Sequence, residues 1–85
     1  MLQVDLREPD YKIAQYIKAR CSGFGDVISV TIHRSPTPFA LVLMAQRIVT
    51  QQVADQYVGA AFGNSVLIHL EQRPAAEAGG ISDKQ

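Results

Sequence analysis

The segment from Pro38 to Ala45, PFALVLMA, most constrains the fold, because every residue after its proline is apolar. A strand with one face in water alternates apolar and polar residues, since successive side chains point to opposite faces of the sheet. A chain of 85 residues forms one domain around one core. The second face of this strand must therefore be covered by the core, by a partner protein or by the bases of a nucleic acid.

Three further segments alternate with a period of two and predict strands: Leu2–Leu6, Val27–His33 and Ser65–Glu71. The two prolines of RSPTP predict a loop after the second strand, and Gly63-Asn64 predicts a turn before the last. The residues expected to point into the core are Leu2, Val4, Leu6, Ile28, Val30, Ile32, Val66, Ile68 and Leu70.

Two segments with helical periodicity predict helices, from about Tyr11 to Ser22 and from Gln46 to about Ala61. The lone cysteine, Cys21, ends the apolar stripe of the first helix, which predicts a buried thiol. The stripes consist of Ile13, Ile17 and Cys21 in the first helix, and of Ile48, Val49, Val53, Tyr57 and Val58 in the second. We expect a domain over residues 1–73 and a flexible C-terminal tail over residues 74–85, which are small and aperiodic.

The resulting order, β-α-β-β-α-β, predicts an α+β ferredoxin-like fold. In that fold a four-stranded antiparallel sheet has strands one and three at its centre and both helices on one face. Strand three would then turn Ala40, Val42 and Met44 toward the helices. We expect the alternate residues to emerge on a face that no predicted helix covers; these are Phe39, Leu41 and Leu43.

Residues 1–73 resemble the RNA recognition motif (RRM) family. The segment GFGDVISVTIHR is similar to the glycine after the family's first helix and the strand that follows it. The segment TPFALVLM resembles the RNP1 pattern, with Phe39 as the first stacking aromatic. It departs from that pattern at Thr37, Pro38, Leu41 and Met44, where the family has a basic residue, a glycine and two aromatics.

The first strand resembles the family's RNP2 segment in its hydrophobic pattern and its Asp5-Leu6 ending. Gln3, or Leu2 in another register, stands where the family has its third stacking aromatic. We favour Gln3, because Leu2 fits the core stripe. One stacking aromatic of the family's three is therefore retained.

The resemblance implies an RRM-like module that binds single-stranded RNA weakly on its sheet face. Phe39 would stack on a base, Leu41 and Leu43 would make apolar contacts, and Arg34 and Arg73 would contact phosphates. The residues implied to bond base edges are Gln3, Asp5, Thr31, His33 and His69. Eight basic and eight acidic residues balance, so no strong global field attracts a polyanion.

The alternative hypothesis is a protein–protein interface. Phe39, Leu41, Leu43 and Leu67 would form an apolar strip across the sheet, and a neutral chain suits a protein partner or a homodimer. Relatives of this fold also bind proteins through helix faces. The corresponding face here carries Lys12, Tyr16, Lys18 and Arg20.

Catalysis is not expected, because the sequence contains no GxxxxGK[ST] or GxGxxG loop and no spacing that indicates a Ser-His-Asp or Cys-His set. His33 and His69 lack a cysteine or carboxylate at metal-ligand spacing, so we expect neither a metal site nor a cofactor. No N-terminal run resembles a signal peptide or a membrane span, which predicts an intracellular protein with no membrane partner.

Overall fold

A computed structural model describes residues 1–74 of the chain. Its elements are β1 (Leu2–Val4), α1 (Asp10–Cys21), β2 (Val27–His33), β3 (Phe39–Met44), α2 (Thr50–Tyr57), β4 (Ala60–Phe62) and β5 (Ser65–Gln72). A short 3-10 turn, Arg47–Val49, leads into α2. The predicted α+β class is confirmed. The predicted tail, apart from Pro74, lies outside the described residues.

The strand β5 organises a five-stranded mixed sheet with the order β1-β5-β3-β2. One side of β5 pairs antiparallel with β3 over Ser65–His69. Its other side is shared, because Ser65–Leu67 pairs antiparallel with β4 and Leu70–Gln72 pairs parallel with β1. On the far side of β3, β2 completes the sheet as an edge strand.

The predicted four-stranded antiparallel sheet is wrong in its strand number, its pairing and the central position of strand one, whereas strand three is central as predicted, between β5 and β2. Here β1 is an edge strand, its neighbour β5 runs parallel to it, and β4 is an additional strand. Alternation indicates which side chains share a face, but the neighbours of a strand depend on backbone pairing between distant segments. The order of helices and strands along the chain still roughly resembles a ferredoxin-like fold.

The second helix is shorter than predicted, because the chain leaves it at Val58 and forms β4. Val58 adopts the left-handed conformation, with φ 53° and ψ 44°, and the Gly59 N–H closes the last turn by donating to the Ala54 carbonyl at 2.7 Å. Gly63, with φ 60°, and Asn64 connect β4 to β5 in a two-residue hairpin, a turn that favours glycine at its first position. The predicted helix over residues 58–61 is therefore wrong.

Three residues predicted to face the core are exposed. Ile28 is 60% exposed because β2 has a bulge between Val27 and Ser29, which inserts an extra residue and changes the alternation. Ile48 lies in the turn before α2 and is 81% exposed, and Val58 follows the last helical residue. At both positions the backbone departs from the α-helical geometry on which the predicted apolar stripe was based.

Both helices pack on the same face of the sheet, as predicted, and enclose one core. Burying a side chain such as Ile17 completely contributes about 1.5–3 kcal/mol. The core consists of Leu2, Val4, Ile13, Ile17, Cys21, Ala40, Val42, Met44, Val49, Val53, Ala54, Tyr57, Val66, Ile68 and Leu70. Burial raises the pKa of Cys21 to about 11, so it is a neutral thiol at physiological pH, and the prediction of a buried cysteine is confirmed.

The described residues form two α-helices, α1 and α2. Neither of them has the length and the apolar character needed to cross a membrane.

Gly59 is required by the close approach of β4 to β5. A Cβ atom at this position would lie 2.3 Å from the Leu67 carbonyl oxygen, a backbone atom that cannot move without disturbing the sheet. We expect Gly59→Ala to lower the free energy of unfolding by about 1–3 kcal/mol, the usual range for overpacking. Urea denaturation measures this change.

Gly23→Ala is the matched control, because a Cβ there meets its nearest neighbour, the Arg20 carbonyl oxygen, at 3.7 Å. This variant should unfold at nearly the wild-type urea concentration. Equal stability of the two variants would contradict the close approach at Gly59.

Candidate functional site: the open face of the sheet

The sheet face opposite the helices is the candidate functional site, and we refer to it as the open face. Residues paired directly across neighbouring strands lie on the same face, so the register identifies its members. Phe39, Leu41 and Leu43 lie on this face, as predicted, and each is partly exposed. The open face consists of Gln3, Ser29, Thr31, His33, Phe39, Leu41, Leu43, Ala60, Phe62, Ser65, Leu67, His69 and Glu71.

One row across the open face contains three ring side chains. Phe39 lies between His33 on β2 and His69 on β5. The rings of His33 and Phe39 are stacked, with their centroids 4.7 Å apart and their planes inclined by 13°. One face of the Phe39 ring is therefore already covered by an imidazole.

The next two rows are mainly apolar. Leu41 pairs with Thr31 and Leu67, and Leu67 pairs in turn with Ala60. Beyond them, Leu43 pairs with Ser29 and Ser65, and Ser65 pairs in turn with Phe62. The leucines and Phe62 thus form an apolar strip that continues from β3 over β5 to β4.

Phe62 also belongs to this site, although the periodicity of the sequence did not indicate it. It is 59% exposed, and it reaches the open face because β4 forms where a helix end was predicted. The Gly63-Asn64 turn was the available signal. A two-residue hairpin turn needs a strand on each side, so it predicts extended residues before Gly63 as well as after Asn64.

The open face contains neither lysine nor arginine. Its one carboxylate, Glu71, accepts a hydrogen bond from the Gln3 side-chain amide at 3.3 Å near the β1 edge. The centre of the face therefore contains no lysine, arginine or carboxylate, and its polar groups are the hydroxyls of Ser29, Thr31 and Ser65 and the two imidazoles.

Arg34, predicted to contact phosphates, uses its guanidinium within the protein. It donates to the Leu6 carbonyl, to the Glu8 carbonyl at 2.8 Å and to the Asp10 carboxylate at 2.9 Å. These bonds fix the connection between β1 and α1 to the end of β2. A ligand phosphate would have to compete with them for the same donors.

Arg73, the second predicted phosphate contact, points toward α1. Its guanidinium carbon lies 5.9 Å from the centre of the Tyr16 ring, and that of Arg20 lies 5.7 Å from the same ring. Arg20 also donates to the Tyr57 hydroxyl at 3.4 Å. The structure therefore groups Arg73 with the predicted helix-face residues Tyr16 and Arg20, away from the apolar strip.

Asp5, a predicted base-edge contact, is bound within the chain. Its carboxylate accepts hydrogen bonds from the Arg7 backbone N–H at 3.1 Å, from the Arg7 guanidinium at 3.0 and 3.3 Å, and from the Gln72 amide at 3.3 Å. These bonds, chiefly those from the Arg7 side chain, lower the pKa of Asp5 from 3.8 to about 2. The described residues contain no group of three metal-ligating side chains that could hold a metal ion.

Comparisons with known proteins give no match to a protein-family model, to a curated protein or to a solved structure. The resemblance to the RRM family therefore stays a prediction.

The lowered pKa of Asp5 gives a test of its contacts. Because the folded-state pKa lies below the usual value, this group stabilises the fold above about pH 4, and the contribution is lost as the pH falls toward 2. We expect Arg7→Gln to return the pKa of Asp5 toward 3.8, as followed by the carboxyl carbon resonance.

The matched control is Arg47→Gln, which removes an arginine from the turn before α2 and should leave the titration unchanged. A wild-type Asp5 that titrates near 3.8 would contradict the Arg7 contact.

Proposed function

We propose that this protein is a binding module whose open face docks an apolar surface of a partner protein. The apolar strip carries this proposal, because it joins Leu43, Leu41, Leu67 and Phe62 without a lysine or arginine among its neighbours. The buried centres of protein interfaces are depleted in charge and enriched in aromatic residues.

The strip is held by a rigid backbone, which favours binding. Leu41 and Leu67 lie on β3 and β5, which pair with each other and with further strands on their outer sides. A partner therefore covers these side chains with little loss of backbone freedom. Covering a fully exposed leucine or phenylalanine contributes about 1.5–3 kcal/mol. The leucines of the strip are already partly covered, so each contributes a part of that amount.

The surroundings of the strip suit a protein partner better than a polyanion. Ser29, Thr31 and His69 provide polar groups beside it, as at the rim of an interface. Nucleic-acid affinity depends largely on phosphate contacts from lysine and arginine. Arg34 and Arg73 are directed elsewhere, to the β1–α1 connection and to Tyr16.

A photocrosslinking residue identifies the partner. Placed at Leu41 in cells that express the protein, it should form a covalent adduct with a defined second protein. The same residue at Ile48, which is more exposed than Leu41 but lies in the turn before α2, should not. Adducts from both positions, or from neither, would contradict an interface on the open face.

The purified partner then gives a quantitative test. We expect Leu41→Asp to weaken its binding by at least about tenfold, because an interface core loses more than about 1.4 kcal/mol when a central apolar contact becomes an unpaired charge. Isothermal titration calorimetry measures the dissociation constant, and circular dichroism checks the fold. Ile48→Asp should bind like the wild type, so an unchanged constant for Leu41→Asp would exclude this interface.

Single-stranded RNA is the second candidate ligand, and the row of His33, Phe39 and His69 favours it. Flat rings on a sheet face stack on unpaired bases in the RRM family that this chain resembles. In this proposal Phe39 and Phe62 stack on bases, while Leu41, Leu43, Gln3 and Thr31 contact base edges or ribose. The RNP2-like strand β1 is separated from the RNP1-like strand β3 by β5, whereas the predicted fold had these two strands side by side. This separation favours protein binding over RNA binding.

RNA binding is tested by fluorescence anisotropy with a mixed-sequence single-stranded RNA at low and moderate salt. If RNA stacks on the open face, Phe39→Ala should weaken binding about 5- to 150-fold, since one base–aromatic stack is worth about 1–3 kcal/mol. Tyr11→Ala removes an aromatic that is 62% exposed on α1 and serves as the control. No binding by the wild type, or equal loss in the two variants, excludes this candidate.

A further inference from the structure

The backbone of β2 has an unpaired outer edge. The Leu70 N–H donates to the Pro38 carbonyl, and the Met44 N–H donates to the Asn64 carbonyl. The even-numbered residues of β3 therefore direct their backbone hydrogen bonds toward β5, and the odd-numbered residues direct theirs toward β2. Thr31, the partner of Leu41, therefore directs its backbone groups inward to β3. The N–H and C=O groups of Val30 and Ile32 point outward, and no described strand pairs with them.

This edge lacks most of the features that prevent strands from pairing with other chains. Its sequence, VISVTIH, contains no lysine, carboxylate or proline, and it spans seven residues. The opposite edge strand, β1, has three residues. The bulge in β2 lies between Val27 and Ser29, so the following residues remain regular.

The core is also incomplete beside β2. Val42 and Val66, on the inner face of the central strands, are fully buried. Val30 and Ile32 point to the same side but are only partly buried. Another strand beside β2 would cover their exposed sides.

A second copy of β2 complements this edge by its own sequence. In an antiparallel pair with its two-fold axis at Thr31, Val30 of each copy lies opposite Ile32 of the other, and their outward N–H and C=O groups bond reciprocally. Thr31 faces Thr31, and Ser29 faces His33. Apolar residues meet apolar ones, polar residues meet polar ones, and the paired strands contain no lysine, arginine or carboxylate.

We propose that this protein forms a two-fold dimer in which the β2 strands of two copies pair edge to edge about Thr31. The two sheets become one continuous sheet, and the two open faces lie side by side on the same surface. This inference does not depend on the proposed function. The dimer forms through the outward backbone groups of Val30 and Ile32 on β2, whereas the apolar strip consists of side chains on β3, β4 and β5.

Analytical ultracentrifugation of the full chain, from micromolar to millimolar concentration, tests the dimer. Thr31→Lys brings two ammonium groups together at the axis and should raise the dimer dissociation constant at least tenfold, whereas Thr31→Val should keep the dimer. A wild type that is monomeric throughout, or a dimer unaffected by Thr31→Lys, overturns the proposal. Leu41→Asp, which disrupts the proposed partner interface, should not change the dimer.

Cysteine crosslinking tests the register and does not require a destabilised variant. Thr31→Cys should form a disulfide between copies under mild oxidation, because the axis places its two Cβ atoms within disulfide range. Ser29→Cys and His33→Cys should not crosslink alone but should crosslink when mixed. Cys21 is fully buried and common to all variants. Dimers linked through Ser29→Cys alone would contradict the register about Thr31.

Discussion

The pairing of β5 with three other strands is the interaction on which the rest of the structure depends. β5 bonds to β3 on one side and, on the other, to β4 and then to β1. Its alternate residues Val66, Ile68 and Leu70 are buried beneath the helices. Because β5 joins the N-terminal strand to the central hairpin, the core is complete only with this strand in the sheet.

The open face is a consequence of this arrangement. Both helices pack on the side of Val42 and Ile68, so the opposite side of the same strands has no cover within the described residues. A sheet covered on one face usually exposes polar residues on the other. Here Leu41, Leu43 and Leu67 stand in those positions, and this exception to the usual pattern is the physical basis for a binding function.

The sequence predicted the elements that depend on local periodicity. The stripe of Ile13, Ile17 and Cys21 gave α1, and the interleaved residues of β3 divided between core and open face as expected. The same reasoning failed where a backbone conformation changed the period. The bulge in β2 exposed Ile28, and the left-handed Val58 ended α2 and allowed β4 to form.

The sequence by itself determined which residues of each long strand share a face, because adjacent side chains of a strand must point to opposite sides. It thereby placed Phe39, Leu41 and Leu43 away from the helices. Only the tertiary structure decided which strands are neighbours, and with that the edge position of β1 and the inclusion of Phe62 in the open face. These features depend on hydrogen bonds between segments far apart in the chain, whose partners local periodicity does not specify.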